Sequence, residues 1–475
     1  MRREPAKAAQ APRPSRRGRP LPAPRRCGAA AFAAGLLGAP LGAPLGAPLG
    51  APLGALLGAL LGALLGITQA QAAEPPGAAS ARYVKACTAE GPGFAYIPGS
   101  DTCLRLGAYL WAETYANSYT DYPAANARNY WVSTLGLLTD ARTRTEYGTL
   151  RSYTDLRIIW RTADPWGEGV RDGADFDPHD IHIEFAGFTF GYLQSFFDFY
   201  ANADVMGTDP ATIGDQTQLP VLGYSWHLPD GFLAQISLEG SAKRDNGILP
   251  VVASGAVFVA DDEADADGAG RWPEIVATFG QSGDWGNFQL SGALHQIAQS
   301  PVSERLGATT GEWGYALQAG VMFNLPSLAP GDTLYLQAAY ADGATSYLGL
   351  IDPSGRFSAP DAFQRLDGSL SKVAGWSAVG QFLHNWSPTW NSAFFGGYGR
   401  FDVADPLAQL TYGASGIGNW NFGANLNWTP VGPFTVTLQY QYNLYEADGF
   451  RPGTQGPALA SQAANDFLLM FAATF

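Results

Sequence analysis

The stretch Phe434-Thr435-Val436-Thr437-Leu438-Gln439-Tyr440-Gln441-Tyr442-Asn443-Leu444 decides the fold. Every even position is apolar or aromatic, and every odd position is Thr, Gln or Asn. An extended strand sends these two sets to opposite faces, so one face is greasy and the other polar but uncharged. The segment before it repeats the pattern. Trp420, Phe422, Ala424, Leu426 and Trp428 alternate with Asn421, Gly423, Asn425 and Asn427, and Thr429–Pro433 make a short turn between the two. Further upstream, Leu317, Ala319, Val321, Phe323 and Leu325 alternate with Gln318, Gly320, Met322 and Asn324. The chain ends on the same dyad: Phe467, Leu469, Phe471, Ala473 and the terminal Phe475 share one face.

The connections alternate as well. Short turns fall near 228–231, 282–286, 326–331, 387–390 and 429–433, and long polar stretches near 162–180, 241–273, 298–312, 341–372, 402–418 and 446–465. Short turns at one end and long loops at the other characterise transmembrane β-barrels. Phe, Tyr and Trp total 60, and only Phe32 precedes residue 73, a loading that suits two interfacial girdles. The alternation predicts an all-β, antiparallel transmembrane barrel over 103–475. Its strands are expected to start near 103, 129, 149, 181, 188, 219, 232, 274, 287, 313, 332, 373, 391, 419, 434 and 466. That makes sixteen strands, with short periplasmic turns and long extracellular loops. The outward aromatic row ending at Phe475 is the expected assembly signal, to be read by a barrel-assembly machinery.

The first 72 residues have another character. Residues 1–26 carry nine Lys or Arg and one Glu, residues 27–72 carry no charge, and Ala70-Gln71-Ala72 supplies a small-x-small cleavage site. This reads as an unusually long, low-complexity signal peptide, followed by an N-terminal periplasmic segment over 73–102. The remaining 403 residues hold 19 Lys or Arg against 41 Asp or Glu, a net charge of −22. So acidic a chain offers no general basic field for nucleic acid. Cys27 belongs to the leader. Cys87 and Cys103 are then the two cysteines of an exported chain, which predicts one disulfide between them.

A longer series of motifs points to a family. Cys87 is followed by Gly93-Phe94-Ala95-Tyr96-Ile97-Pro98-Gly99-Ser100-Asp101-Thr102-Cys103-Leu104, and later by Ala141-Arg142-Thr143-Arg144-Thr145-Glu146-Tyr147-Gly148. Phe185-Ala186-Gly187-Phe188-Thr189-Phe190-Gly191, Ser195-Phe196-Phe197-Asp198-Phe199-Tyr200 and Leu336-Gln337-Ala338-Ala339-Tyr340-Ala341-Asp342-Gly343 come next in order. Over about 82–475 the chain resembles alphaproteobacterial general porins of the Rhizobiales type. The resemblance implies a homotrimer in the outer membrane of a Gram-negative bacterium, in contact with lipid and lipopolysaccharide. It also implies a water-filled pore, narrowed by an inward-folded third loop, for passive diffusion of small hydrophilic solutes and ions.

Strand parity puts Arg105 and Glu113, then Asp140, Arg142 and Arg144, then Arg151, Asp155 and Arg157 on the inner face. The third loop starts at Asp198 and carries Asp204, Asp209 and Asp215. An acidic loop facing an arginine wall would set a transverse field across a constriction; equally, these arginines could pair locally with Asp140 and Asp155. No cofactor or metal is expected. Glu263–Glu274 imitates a calcium loop but is followed by a strand, and Asp172, Asp175, Asp177, His179, Asp180 and His182 read as a hydrated outer loop rather than a divalent site. The five histidines are scattered, and neither HExxH nor G-x-S-x-G occurs, so no enzyme is expected. The alternatives are a substrate-selective channel, for sugars for example, and a surface adhesin.

Overall fold

A computed structural model describes residues 85–118, 129–163, 172–208, 212–214, 216–250, 272–297, 311–350, 359–365, 367–448 and 461–475. The wall strands are β1 (Thr102–Asn117), β2 (Asn129–Thr145), β3 (Gly148–Arg161), β4 (Gly173–Phe185), β5 (Phe188–Gln194), β6 (Gln218–His227), β7 (Phe232–Glu239) and β8 (Glu274–Gly283). They continue with β9 (Gly286–Ile297), β10 (Glu312–Asn324), β11 (Thr333–Asp342), β12 (Ala374–Ser387), β13 (Trp390–Asp402), β14 (Gly416–Val431), β15 (Phe434–Asp448) and β16 (Gln462–Thr474). Each pairs antiparallel with its sequence neighbour, and β16 returns to β1 through Tyr109↔Thr474 to Asn117↔Asp466. The result is a closed sixteen-stranded barrel. Closure leaves no free edge and satisfies every ladder internally, which a lipid-facing sheet requires.

Burial follows the dyad. Leu106, Leu110, Leu317, Leu336, Phe422, Leu438 and Phe467 are exposed on the outer face, while Gln318, Gln337, Gln381, Asn421, Gln439 and Asn443 are buried on the inner one. A sheet that exposes leucine and buries glutamine inverts the rule for proteins in water and fits a wall whose solvent is lipid. The terminal residue belongs to the ladder: Phe475 donates its amide to Ala108 O at 2.8 Å. The turn between β4 and β5 is Ala186-Gly187 with φ of 50° and 90°, the twin left-handed residues of a tight two-residue hairpin.

Three boundaries move from their sequence expectations. β4 starts at Gly173, not near 181, so Asp175, Asp177, His179, Asp180 and His182 lie on a strand rather than in a hydrated outer loop. The register slips between Asp155/Asp180 and Arg157/Asp177, so Pro178 and His179 form a bulge. The bulge resets the dyad and, with a charged inner row, hides the strand from a hydropathy reading. β14 and β16 likewise begin earlier, at Gly416 and Gln462, where glycines flank Ile417 in β14 and small or polar residues open β16. The long connections are also not all irregular. Ile248–Pro250 pairs parallel with Ala362–Gln364, which pairs antiparallel with Leu370–Lys372. Between β13 and β14, Asp405 caps the short helix Pro406–Tyr412, its carboxylate accepting from the amides of Leu407 and Ala408. The calcium-like stretch lies outside the described residues except for its last three, Trp272, Pro273 and Glu274.

Candidate functional site

Cys87 and Cys103 are disulfide-bonded, with Cα atoms 5.9 Å apart. The bond fixes the segment before β1 against the inner face at the short-turn end. There Phe94 lies beneath the guanidinium groups of Arg105 and Arg142, at 4.9 and 4.7 Å from its centroid. Glu90 accepts from Arg144 Nε at 2.8 Å and lies 3.5 Å from Arg142.

The arginines find their partners on their own or the adjacent strand, and Arg144 on the segment before β1. Asp140 of β2 is the hub, with Arg142 at 2.8 Å, Arg151 at 3.1 Å and Arg105 at 3.4 Å. Arg151 also reaches Glu184 at 3.0 Å. Arg157 reaches Asp155 at 3.1 Å, and the Tyr109 hydroxyl donates to the same carboxylate at 2.9 Å. His182 lies between Asp180 and Glu184. The inner face of β1–β4 is thus a crowded strip of both signs rather than a purely cationic wall. Arg105, Arg142, Arg144, Arg151 and Arg157 meet these carboxylates, and no ion pair joins them to the described acids of the third loop.

That loop connects β5 to β6. Its amides have no sheet to join, yet backbone N–H groups out of water need acceptors. The inner row supplies them strand after strand. Phe196 N donates to Glu239 Oε1 of β7 at 2.9 Å, Phe199 N to Gln318 Oε1 of β10 at 2.9 Å, and Ala201 N to Gln337 Oε1 of β11 at 3.1 Å. Asp204 N donates to Gln381 Oε1 of β12 at 3.0 Å, and Met206 N to Gln439 Oε1 of β15 at 2.9 Å. Thr208 N reaches Glu113 Oε2 of β1 at 3.1 Å. The wall donates in return: Ser291 Oγ to Phe197 O at 2.8 Å, Asn425 Nδ2 to Asp204 O at 2.8 Å, and Gln439 Nε2 to Met206 O at 3.0 Å. Each bond adds about 1 kcal/mol net. Glycines of the wall make room for the loop's rings: a Cβ on Gly320 would fall 2.1 Å from Phe199 Cγ, and one on Gly223 2.4 Å from Phe196 Cε2.

The root of the loop is an ion pair. Asp198 is buried and accepts from Arg244 Nη2 at 2.7 Å and from Thr217 N at 2.7 Å. Burial pushes its carboxyl above the ordinary value, against the pull of Arg244. Asp204 accepts from Gln381 Nε2 at 2.8 Å. Asp209 and Asp215 lie outside the described residues. The reading of the sequence missed Arg244, Glu239 and the glutamines as anchors. The available signal was a Gln at an inward position on each of β10, β11, β12 and β15, where apolar alternation demands only a polar residue.

An apolar outside, a polar inside and a long connection bonded to the inner row define the class of transmembrane β-barrels with a lined interior. A profile of the family described as "Porin subfamily" matches residues 72–471. The chain belongs to that family of outer-membrane porins, whose members are channels rather than enzymes. It is 27% identical over 275 residues to porin Omp2b of Brucella suis, covering 55% of this chain and 66% of that one. It is 28% identical over 292 residues to porin Omp2a of Brucella melitensis biotype 1, covering 55% and 76%. The chain thus spans just under two thirds of the Omp2b length it matches. Among solved structures, the outer membrane channel DcaP of Acinetobacter baumannii superposes with a TM-score of 0.57 at 14% identity, over 80% of this chain and 99% of that one. That likeness bears on the fold alone.

Proposed function

We propose that this chain forms a passive, water-filled channel for small hydrophilic solutes and ions across the outer membrane, narrowed by the inward-folded third loop. The observation that carries the reading is the series of loop amides bonded to inner-row side chains from β7 round to β1. A segment held along that arc occupies lumen volume, and the free passage lies between it and the mixed-charge strip of β1–β4. In this reading Asp204 faces the passage across from Arg105, Arg142, Arg144, Arg151 and Arg157, and the loop sequence adds the acids Asp209 and Asp215. Because local carboxylates offset the arginines, the loop acids tip the balance toward a weak preference for cations.

Residues 1–72 are the leader removed on export, a reading supported by the family match beginning at 72. The segment 73–102 lies on the periplasmic side, the chain assembles as a homotrimer amid lipopolysaccharide, and the assembly machinery reads Phe475. Reconstitution of the folded mature protein into planar bilayers tests the channel. Stepwise, ohmic conductance that scales with bulk salt conductivity supports it, and a silent bilayer with correctly folded protein contradicts it.

A further inference from the structure

At the long-loop end, three side chains from separate parts of the chain converge. Asp245 follows β7 in one long connection, His295 lies near the end of β9, and Asp361 lies in the connection between β11 and β12. One ligand atom from each falls within 4.8 Å of the other two. His295 and Asp361 are fully buried, and Asp245 is half-buried.

The imidazole is already oriented. Its Nδ1–H donates to Glu274 Oε1 at 2.8 Å, and Tyr347 Oη donates to Glu274 Oε2 at 2.8 Å, so the carboxylate is held from both sides. In the neutral imidazole this leaves the lone pair on Nε2. Nε2 makes no hydrogen bond although it is completely buried, and it lies 3.5 Å from Asp361 Oδ2. Asp361 is fixed in turn, with Oδ1 accepting from Thr345 N at 2.7 Å and Oδ2 from Asn246 N at 2.8 Å. A carboxylate–histidine pair whose second nitrogen points at further carboxylates is the arrangement that positions histidine on a metal ion.

Charge leads to the same place. Glu274 and Asp361 are both fully buried, and burying carboxylates without compensating charge is costly. His295 lies 2.8 Å from Glu274 and 3.5 Å from Asp361 and can offer at most one positive charge to the two, while the other neighbouring cations serve other acids: Arg244 reaches Asp198 at 2.7 Å, and Lys372 reaches Asp342 at 3.5 Å.

We propose that Asp245, His295 and Asp361 bind one divalent transition-metal cation of the zinc type. One imidazole nitrogen and two carboxylate oxygens suit such an ion better than calcium, which prefers an all-oxygen shell. Tetrahedral Zn²⁺ with ligands at about 2.0–2.1 Å needs donor atoms about 3.3 Å apart, a small contraction of the present cluster. The ion would tie two long connections to the barrel wall beside the small sheet of Ile248–Pro250 and Ala362–Gln364.

The test uses the full mature barrel, folded in detergent and stripped with a chelator, titrated calorimetrically with ZnCl₂ and with CaCl₂. Metal content is measured after gel filtration. One Zn²⁺ per chain is expected, with binding weakened at least tenfold in Asp245→Asn and His295→Gln, and ten- to a hundredfold in Glu274→Gln. Asp245→Asn decides alone if a buried variant fails to fold, because its side chain is only half-buried. No zinc uptake by the folded wild type, unchanged affinity in Asp245→Asn, or tighter binding of Ca²⁺ than of Zn²⁺ overturns the proposal. Binding is read without any current, so this outcome is independent of channel activity.

Discussion

Replacing Arg244 by Met removes the partner of Asp198 while keeping a long apolar stem. The pair is buried on both sides, with side-chain exposures of 3% and 6%. Breaking such a pair from one side costs about 3–5 kcal/mol, because a bare charge is left behind. Asp198 can escape that cost by taking up a proton. From an ordinary value of 3.8, neutralising a carboxyl at pH 7 costs about 4 kcal/mol at 1.4 per pH unit, and at pH 5 about 1.6. The penalty is therefore capped near 4 kcal/mol at neutral pH and shrinks in acid. The sign follows from linkage: burial raises the folded-state pKa of Asp198, so the folded loop root binds more protons than the released one. Its stability is greatest at and below pH 3.8 and is lost as pH rises through the elevated folded value. Loss of the guanidinium 4.3 Å from the Tyr347 centroid adds a smaller, pH-independent part. Hydrogen exchange across residues 195–208, at pH 5 and pH 7.5, reads the effect, and open-channel current noise gives a second measure. The variant should lose protection at pH 7.5 and recover much of it at pH 5, with the wall strands unchanged. Wild-type protection at pH 7.5, or a larger loss in acid, would show that Asp198 and Arg244 do not anchor the loop.

Three further outcomes are expected. Changing Asp204, Asp209 and Asp215 together to Asn should move the reversal potential in a salt gradient toward anions while heat-modifiability on gels is retained; an unmoved potential removes these acids from the passage. Cys87→Ser should cost about 2–4 kcal/mol in the segment before β1, seen as faster proteolysis there, whereas the closed barrel keeps its conductance. Deleting Phe475 removes an amide bonded to Ala108 O and the last ring of the outer row, so its level in the membrane should fall sharply; normal levels would mean the residue is no assembly signal.

The wall was legible because its code is local. In β15, each residue from Phe434 to Leu444 names its own face, and the lipid outside keeps the apolar row unbroken. β4 was only half legible, since the bulge at Pro178 shifts the phase and the inner row carries Asp175, Asp177 and Asp180. The loop anchors are a different kind of fact. Gln318 reads as one polar residue in an alternating strand, and only the closed barrel brings it to the amide of Phe199, more than a hundred residues earlier in the chain. Asp198 pairs with Arg244 for the same reason, and Asp245, His295 and Asp361 share no motif at all. Parity told which face the arginines take and offered Asp140 and Asp155 as local partners, but not that Glu90 and Glu184 would join them, because cross-strand register depends on turn length and shear rather than on composition.

The most direct test of the account is the single-channel conductance of the mature protein beside a variant in which residues 199–216 are replaced by a short Gly-Ser bridge. The wall strands make their own ladders, so the shortened barrel should fold and remain heat-modifiable. If the third loop narrows the lumen, the shortened variant conducts more than the wild type in the same salt and admits larger neutral solutes. Equal conductance and an equal size limit, from a correctly folded variant, would place the loop outside the pore and contradict the account.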